Sequence, residues 1–187
     1  MILDKLTTVE MEWRVAAYFN YRQNIIVPNI SWGAGLHECD LLIVTKRGIV
    51  TEVEIKVSRS DLKADAKKRH KHKNEKIKDL YFAIPDYMRD CIELIPEHAG
   101  IILVSRNYDR GDSIYCKTIR EPVSNRNYIK MTDKEVLNIA RLGTMRIWSL
   151  KRKIIDKNRR KRKPIIKTNR LQTSLHFCEN SLQDSKE

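Results

Sequence analysis

Asp40, Glu54 and Lys56 are the residues around which chemistry can be built. Glu54-Ile55-Lys56 lies within Thr51-Glu52-Val53-Glu54-Ile55-Lys56-Val57-Ser58, whose strict alternation reads as a half-buried strand. Val53, Ile55 and Val57 fall on one face, and Glu52, Glu54 and Lys56 on the other. A shorter apolar run, Asp40-Leu41-Leu42-Ile43-Val44, opens with a carboxylate, and Thr45-Lys46-Arg47-Gly48 separates the two runs as a hairpin-like break. Antiparallel pairing across that break brings Asp40 near Glu54 and Lys56 at one end of a sheet. Two carboxylates and an ammonium at a strand end describe a divalent-metal site with a positioned lysine. The plainer alternative is an ordinary sheet with one solvated face. Two features argue against it. Leu41 to Val44 is apolar at every position, as in a strand covered on both faces, and Asp40 at its entrance is costly unless it is partnered or ligates a cation.

The elements that must position these residues can be read outward from them. Thr8 to about Asn20 is a helix capped by Thr7 or Thr8. On a wheel advancing about 100° per residue, Val9, Trp13, Ala16 and Phe19 form its apolar arc, with Glu10 and Arg14 on the far side. Glu12 lands inside that arc, where a carboxylate needs a reason. A shared metal site supplies one; a salt bridge at the core edge is the alternative, and Glu10 replaces Glu12 if the helix is rotated. Ile25 to Ile30 is a short strand that Pro28 confines to a sheet edge. Ser31-Trp32-Gly33-Ala34-Gly35 is a loop whose tryptophan either stacks on a base or sugar or tucks against the core.

Ser58-Arg59-Ser60-Asp61 has the spacing of a capping box with Asp in place of Glu, so a helix begins about two residues beyond Lys56. Its N–H groups offer a seat for a phosphate beside the carboxylates. The sequence to about Ile77 is free of Gly and Pro and carries Lys63, Lys67, Lys68, Arg69, Lys71, Lys73, Lys76 and Lys78, with His70 and His72 interleaved. A run of one sign beside a candidate active site reads as a phosphate-facing surface, against the alternative of a merely solvated face. Leu80 to Ile84 and Gly100 to Val104 are buried strands separated by a short helix over Tyr87 to Ile95. Ile114 to Ile119 adds an edge strand. This alternation is that of an α/β unit whose far half is largely parallel. Thr132-Asp133-Lys134-Glu135 is a second helix start, for a helix reaching toward Lys153.

The chain has 187 residues, enough for one domain with an appendage. With 37 Lys+Arg against 24 Asp+Glu, a formal charge of +13 and a pI near 9.7, it calls for a polyanionic partner. DNA or RNA fits best, and an acidic membrane surface less well. Twelve of the basic residues fall between Arg146 and Arg170 against one acid, Asp156. That block includes Arg159-Arg160-Lys161-Arg162-Lys163 and reads as an arm that orders on nucleic acid, if at all. The expected organisation is a core over residues 1–125, a basic helix and arm over 126–170, and a loose polar tail over 171–187. No apolar run is long enough to span a membrane, and residues 1–5 lack a signal peptide's apolar stretch. The four cysteines are scattered without a CxxC pair, as in reduced cytosolic proteins, so a cytoplasmic location is expected, in a bacterium or a phage-infected host.

An acid on helix one, then Asp40, then thirteen residues and Glu54-Ile55-Lys56, resembles the PD-(D/E)XK, or restriction-endonuclease-like, nuclease superfamily. Glu52-Val53-Glu54-Ile55-Lys56-Val57-Ser58 with Asp61-Leu62 and Asp65, followed by Leu80-Tyr81-Phe82-Ala83-Ile84-Pro85 and Ala99-Gly100-Ile101, is similar to the MmcB-type DNA-repair group and its phage relatives. The likeness spans about Thr8 to Val104. It implies an α/β restriction-endonuclease-like core with a central mixed sheet flanked by helices. It further implies Asp40 and Glu54 as metal-binding carboxylates, the Ile55 carbonyl as a further ligand, and Glu12 as the helix-one acid. Hard oxygen ligands suit Mg²⁺ or Mn²⁺. Lys56 would orient the attacking water or stabilise charge on the phosphorane oxygens. Ser58, Arg59, Lys63, Lys67, Lys68, Arg69, Lys71, Lys73 and Arg159 to Lys163 would bind nucleic acid.

The sequence departs from the superfamily pattern in places. Glu38-Cys39 stands before Asp40 where a proline is usual, Glu52 is an extra acid on the active face, and the His/Lys-rich helix differs from the Trp-containing segment of cellular relatives. The expected activity is metal-dependent hydrolysis of DNA phosphodiesters, structure-selective or nonspecific, in repair, recombination or phage DNA processing. The alternative is a DNA- or RNA-binding protein that keeps the fold without turnover. Many relatives in the superfamily dimerise to reach two strands, so a homodimer is one arrangement the resemblance allows.

Overall fold

The computed structural model describes residues 5–30, 35–65, 74–108 and 113–162. Trp32, Lys67, Lys68, Arg69, His70, Lys71, His72, Lys73 and Lys163 lie outside them, as does the tail. Residues Met1–Ile147 form one compact unit and Trp148–Glu187 a second.

The first unit is built on a mixed six-stranded sheet in the order β1-β2-β3-β4-β5-β6, flanked by helices. Its elements are α1 (Thr8–Tyr18), β1 (Ile25–Ile30), β2 (Cys39–Val44), β3 (Val50–Ile55), α2 (Arg59–Asp65), β4 (Ile77–Pro85), a 3-10 helix (Asp86–Leu94), β5 (Gly100–Asn107), β6 (Ser113–Arg120) and the start of α3 (Asp133–Arg162). β1, β2 and β3 pair antiparallel, β3, β4 and β5 pair parallel, and β6 returns antiparallel. The strand expected at an edge for its Pro28 is β1 at one edge, and the one expected over Ile114 to Ile119 is β6 at the other. The helix expected over Tyr87 to Ile95 is present in 3-10 form. The hairpin break between β2 and β3 closes with the Gly48 N–H on the Thr45 carbonyl at 2.9 Å. Gly48 has φ +73°, and a Cβ there would stand 2.5 Å from the Met131 carbonyl oxygen, so only glycine serves.

Both faces of the sheet are covered. Met11 and Val15 of α1 pack on Leu41, Ile43, Val53, Ile55, Ala83, Ile102 and Val104. On the other face, Met131 and Ile139 lie over Val27, Leu42, Val44 and Val50. Beside them Leu62, Met88 and Cys91 lie over Leu80, Phe82, Ile84, Ile101 and Leu103. The half-buried strand read from the alternation of residues 51–58 is therefore corrected: β3 is central and buried on both faces, with Glu52 and Glu54 each 0% exposed. Register pairs Glu52 with Leu42 on one side and Leu80 on the other, so the acidic row runs along the seam between two apolar clusters.

The apolar arc read for α1 is also corrected. Val9 is exposed and Trp13 is 60% exposed, while Met11 and Val15 are buried. Thr7 and Glu10 form a capping box, Glu10 pairs with Arg106 of β5, and the Tyr18 hydroxyl meets Thr118 Oγ1 of β6 at 2.7 Å. These polar ties fix the helix's rotation and turn the tryptophan outward.

The second expected capping box is present. Thr132 N–H and Oγ1 both donate to Glu135 at 2.9 Å, and Lys76 Nζ reaches the same carboxylate at 2.7 Å. Past the end of the expected helix, α3 runs on to Arg162, over Ile, Asp, Lys, Asn and Arg with neither Gly nor Pro to stop it. In the second unit, the side chains of Trp148, Leu150, Ile154 and Ile155 are exposed, as are Arg159 and Arg160. The Lys151 ammonium lies 4.9 Å from the Trp148 ring centroid. Among the described residues no helix is long and apolar enough to cross a membrane.

The Lys76 hydrogen bond, with those from Thr132, holds the Glu135 carboxyl down at about 2, below its ordinary 4.5. A carboxyl depressed by folding adds stability above its unfolded value and loses it as pH falls through the folded one. Glu135→Gln should therefore be less stable than the parent at pH 7 in urea unfolding, with the gap closing between about pH 4.5 and 2.

Candidate metal and nucleic-acid site

The site forms where β2 begins and β3 ends. Asp40 is one residue along from the Leu41–Val53 pair, and its Oδ2 accepts the Ile55 N–H at 2.8 Å. Within one strand residue the N–H and C=O face the same neighbour, so the Ile55 carbonyl also faces the β2 side, beside Asp40. Lys56 follows on β3, and its N–H reaches the Ala83 carbonyl of β4 at 3.0 Å. The cluster thus lies at the carboxyl end of a strand that has an antiparallel neighbour on one side and a parallel one on the other, the position where open α/β sheets hold ligands.

The structure brings Asp40, Glu54 and Lys56 together and adds a residue the sequence reading gave no role. Lys56 Nζ stands 2.5 Å from Glu54 Oε2, 2.9 Å from Asp65 Oδ1 and 3.6 Å from Asp40 Oδ2. Asp65 is at the end of α2, on the same buried face as Leu62 three residues earlier. An acid on the apolar side of a helix was the signal used for Glu12, and it was available for Asp65. A seven-residue helix cannot sustain itself. Full burial of Leu62, a contribution of about 2 kcal/mol, and the Ser58 Oγ cap on the Asp61 N–H hold α2 in place.

Lys56 is 7% exposed. Burial acts to lower the pKa of its ammonium, but the Glu54 charge, the hydrogen bonds to Glu54 and Asp65 and the Asp40 charge outweigh it and hold the pKa well above the ordinary lysine value. Glu12 lies on α1, where it meets Asn29 of β1. Burial raises its pKa, a hydrogen bond from Asn29 at 3.4 Å opposes this, and the Asp40 charge adds to the rise. Glu12 thus bonds Asn29 and feels the Asp40 charge, while Glu10, the fallback, is committed to its cap and Arg106. Asn29, on β1, was not singled out from sequence.

Glu52 is not on an accessible active face. It is fully buried and bonded to His37 Nε2 at 2.8 Å, which is what makes an acid tolerable there. Of the residues expected to bind nucleic acid, Lys63 is exposed on α2, Ser58 caps that helix, and Arg59 pairs with Asp90 at 2.5 Å. Lys161 and Arg162 belong to the helical stretch of α3.

As the side chains stand, no three Asp, Glu, His or Cys groups among the described residues surround a metal-sized space. The cation on which the carboxylates converge is the Lys56 ammonium. The donor set nonetheless suits a hard divalent ion. Asp40 is 33% exposed, and its Oδ1 has no hydrogen-bond donor among the described residues. Among the described residues three carboxylates, Asp40, Glu54 and Asp65, meet the Lys56 ammonium, and their hard oxygens are the donor type that Mg²⁺ or Mn²⁺ prefers.

A family model described as DNA repair protein MmcB-like matches residues 6–154. The chain belongs to that family. A solved protein of unknown function from Silicibacter pomeroyi is similar at 18% identity and a TM-score of 0.56, over 83% of this chain and 96% of that one. At that identity the likeness shows the fold alone. No curated protein gives a significant match.

Lys56→Met removes the ammonium shared by two buried carboxylates. It should cost about 3 kcal/mol or more at neutral pH by urea unfolding, as expected for breaking a buried pair. The loss should shrink in acid, where the carboxylates can take up protons instead.

Proposed function

We propose that the protein is a Mg²⁺- or Mn²⁺-dependent nuclease that hydrolyses DNA phosphodiester bonds in DNA repair. The observation that carries this reading is the convergence of Asp40, Glu54 and Lys56 at one strand end, in a member of a DNA-repair family. Asp40, Glu54 and the Ile55 carbonyl are the groups that would hold the ion, with Glu12 behind Asp40. When bound, such an ion would activate water toward the phosphodiester and offset the charge that builds on its oxygens. Lys56, kept protonated by its carboxylates, presents a fixed positive charge to a phosphate oxygen or orients the attacking water. The Asp40–Ile55 hydrogen bond holds the carboxylate against the end of β3, so the sheet rather than a loop would fix this ligand to the ion.

The charge of +13 supplies affinity for the phosphate backbone without reading bases. No base-reading module is evident, so structure-selective or nonspecific cleavage is the form of activity that fits. A DNA-binding protein without turnover is the second reading, favoured by Lys56 filling the space among the carboxylates.

Labelled duplex, single-stranded and branched DNA, with RNA alongside, should be incubated with Mg²⁺, Mn²⁺ or EDTA. The nuclease reading expects metal-dependent products that Asp40→Ala reduces by a factor of about 100 or more, with DNA binding retained. Salt-sensitive binding without products in any metal would favour the non-catalytic reading instead.

A further inference from the structure

The three carboxylates around Lys56 come from two directions. Asp40 and Glu54 belong to adjacent strands, whereas Asp65 is carried by α2. The ammonium has Glu54 and Asp65 both at hydrogen-bonding distance, 2.5 Å and 2.9 Å, and Asp40 further off at 3.6 Å. A divalent cation taken up by Asp40 and Glu54 would stand within a few ångströms of this ammonium, and the two would repel strongly in so buried a place. Lys56 cannot answer by moving into the core, since an ammonium without a carboxylate is costly there. The Phe82 ring, 6.0 Å away, is a weak substitute.

Resting on the metal-site reading above, we propose that Asp65 is a positioning residue that receives the Lys56 ammonium when Asp40 and Glu54 turn to a divalent cation. Lys56 exchanges one carboxylate for another that it already touches. No covalent bond changes and no proton is transferred. The exchange frees Glu54 from its ion pair while keeping the lysine beside the site. Without Asp65 the ammonium stays on Glu54 and competes with the incoming cation.

The device is tested by calorimetric titration of the full chain with Mn²⁺, for the parent, Asp65→Asn, Lys56→Met and the double variant. Asp65→Asn should weaken Mn²⁺ binding by roughly tenfold, the size of coupling expected between contacting groups. In the Lys56→Met background it should have almost no effect, because there is no ammonium to receive. An equal loss in both backgrounds overturns the proposal and makes Asp65 a plain source of negative charge; no loss in either also overturns it. Mn²⁺ binding that Asp40→Ala leaves unchanged contradicts the metal-site reading itself, so the two failures are distinguishable.

A second measurement needs no change at Lys56 and serves if Lys56→Met does not fold. In Mg²⁺-saturated protein, the Lys56 ammonium should keep a slowly exchanging nitrogen NMR signal. Asp65→Asn should lose it, because saturating ion displaces the ammonium from Glu54 with no second carboxylate to take it. Loss of that signal on adding Mg²⁺ to the parent protein would show the lysine released to solvent and refute the exchange.

Discussion

A buried ammonium must be neutralised where it stands, and in this protein that requirement organises the site. Lys56 carries its charge into the seam between two apolar clusters and is held by carboxylates from β2, β3 and α2. Removing an ion of this kind from water costs several kcal/mol even after relaxation, and only close, well-directed partners offset it. Among the described residues the same carboxylates outnumber the ammonium, and the proposed uptake of a divalent cation rests on that imbalance. A single arrangement thus sets the cost of folding this region and the place of the proposed site.

The sheet makes the arrangement reproducible. Antiparallel pairing of β2 with β3 delivers Asp40 to the Ile55 N–H, and the parallel step from β3 to β4 requires a crossover that begins with α2 and so delivers Asp65. Gly48, whose backbone is taken up by Met131, closes the hairpin that fixes the register. A slip of one residue in that pairing would turn Glu54 and Lys56 to the α1 face and put Val53 and Ile55 in the seam. The α1 face is an apolar cluster that includes Met11, Val15, Leu41 and Ile43.

Much of this was legible in the sequence, because it is carried by local rules. The alternation of β3, the break after β2, the edge proline, the Ser58 cap and the Thr132 capping box depend on neighbours a few residues apart. What was misread depends on the opposite side of the molecule. The Glu52 row looked solvated because alternation cannot say whether a second layer covers the polar face, and here His37, α2 and α3 do. Trp13 falls on the apolar arc because the helical wheel groups it with Val9, Ala16 and Phe19, but polar contacts made by Thr7, Glu10 and Tyr18 with residues near and about a hundred positions away decide the rotation of α1. Asp65 shares the apolar side of α2 with Leu62, a local signal, but that it meets Lys56 is set by the tertiary fold.

The central claim is that Asp40 and Glu54 together hold a hard divalent cation beside a retained lysine. Diffraction from crystals grown with Mn²⁺, recorded where manganese scatters anomalously, tests it most directly. The account predicts an anomalous peak within ligand distance, about 2 Å, of both carboxylates, with Lys56 Nζ still in contact with Asp65. A peak elsewhere, or none while Lys56 stays bonded to Glu54, would contradict it.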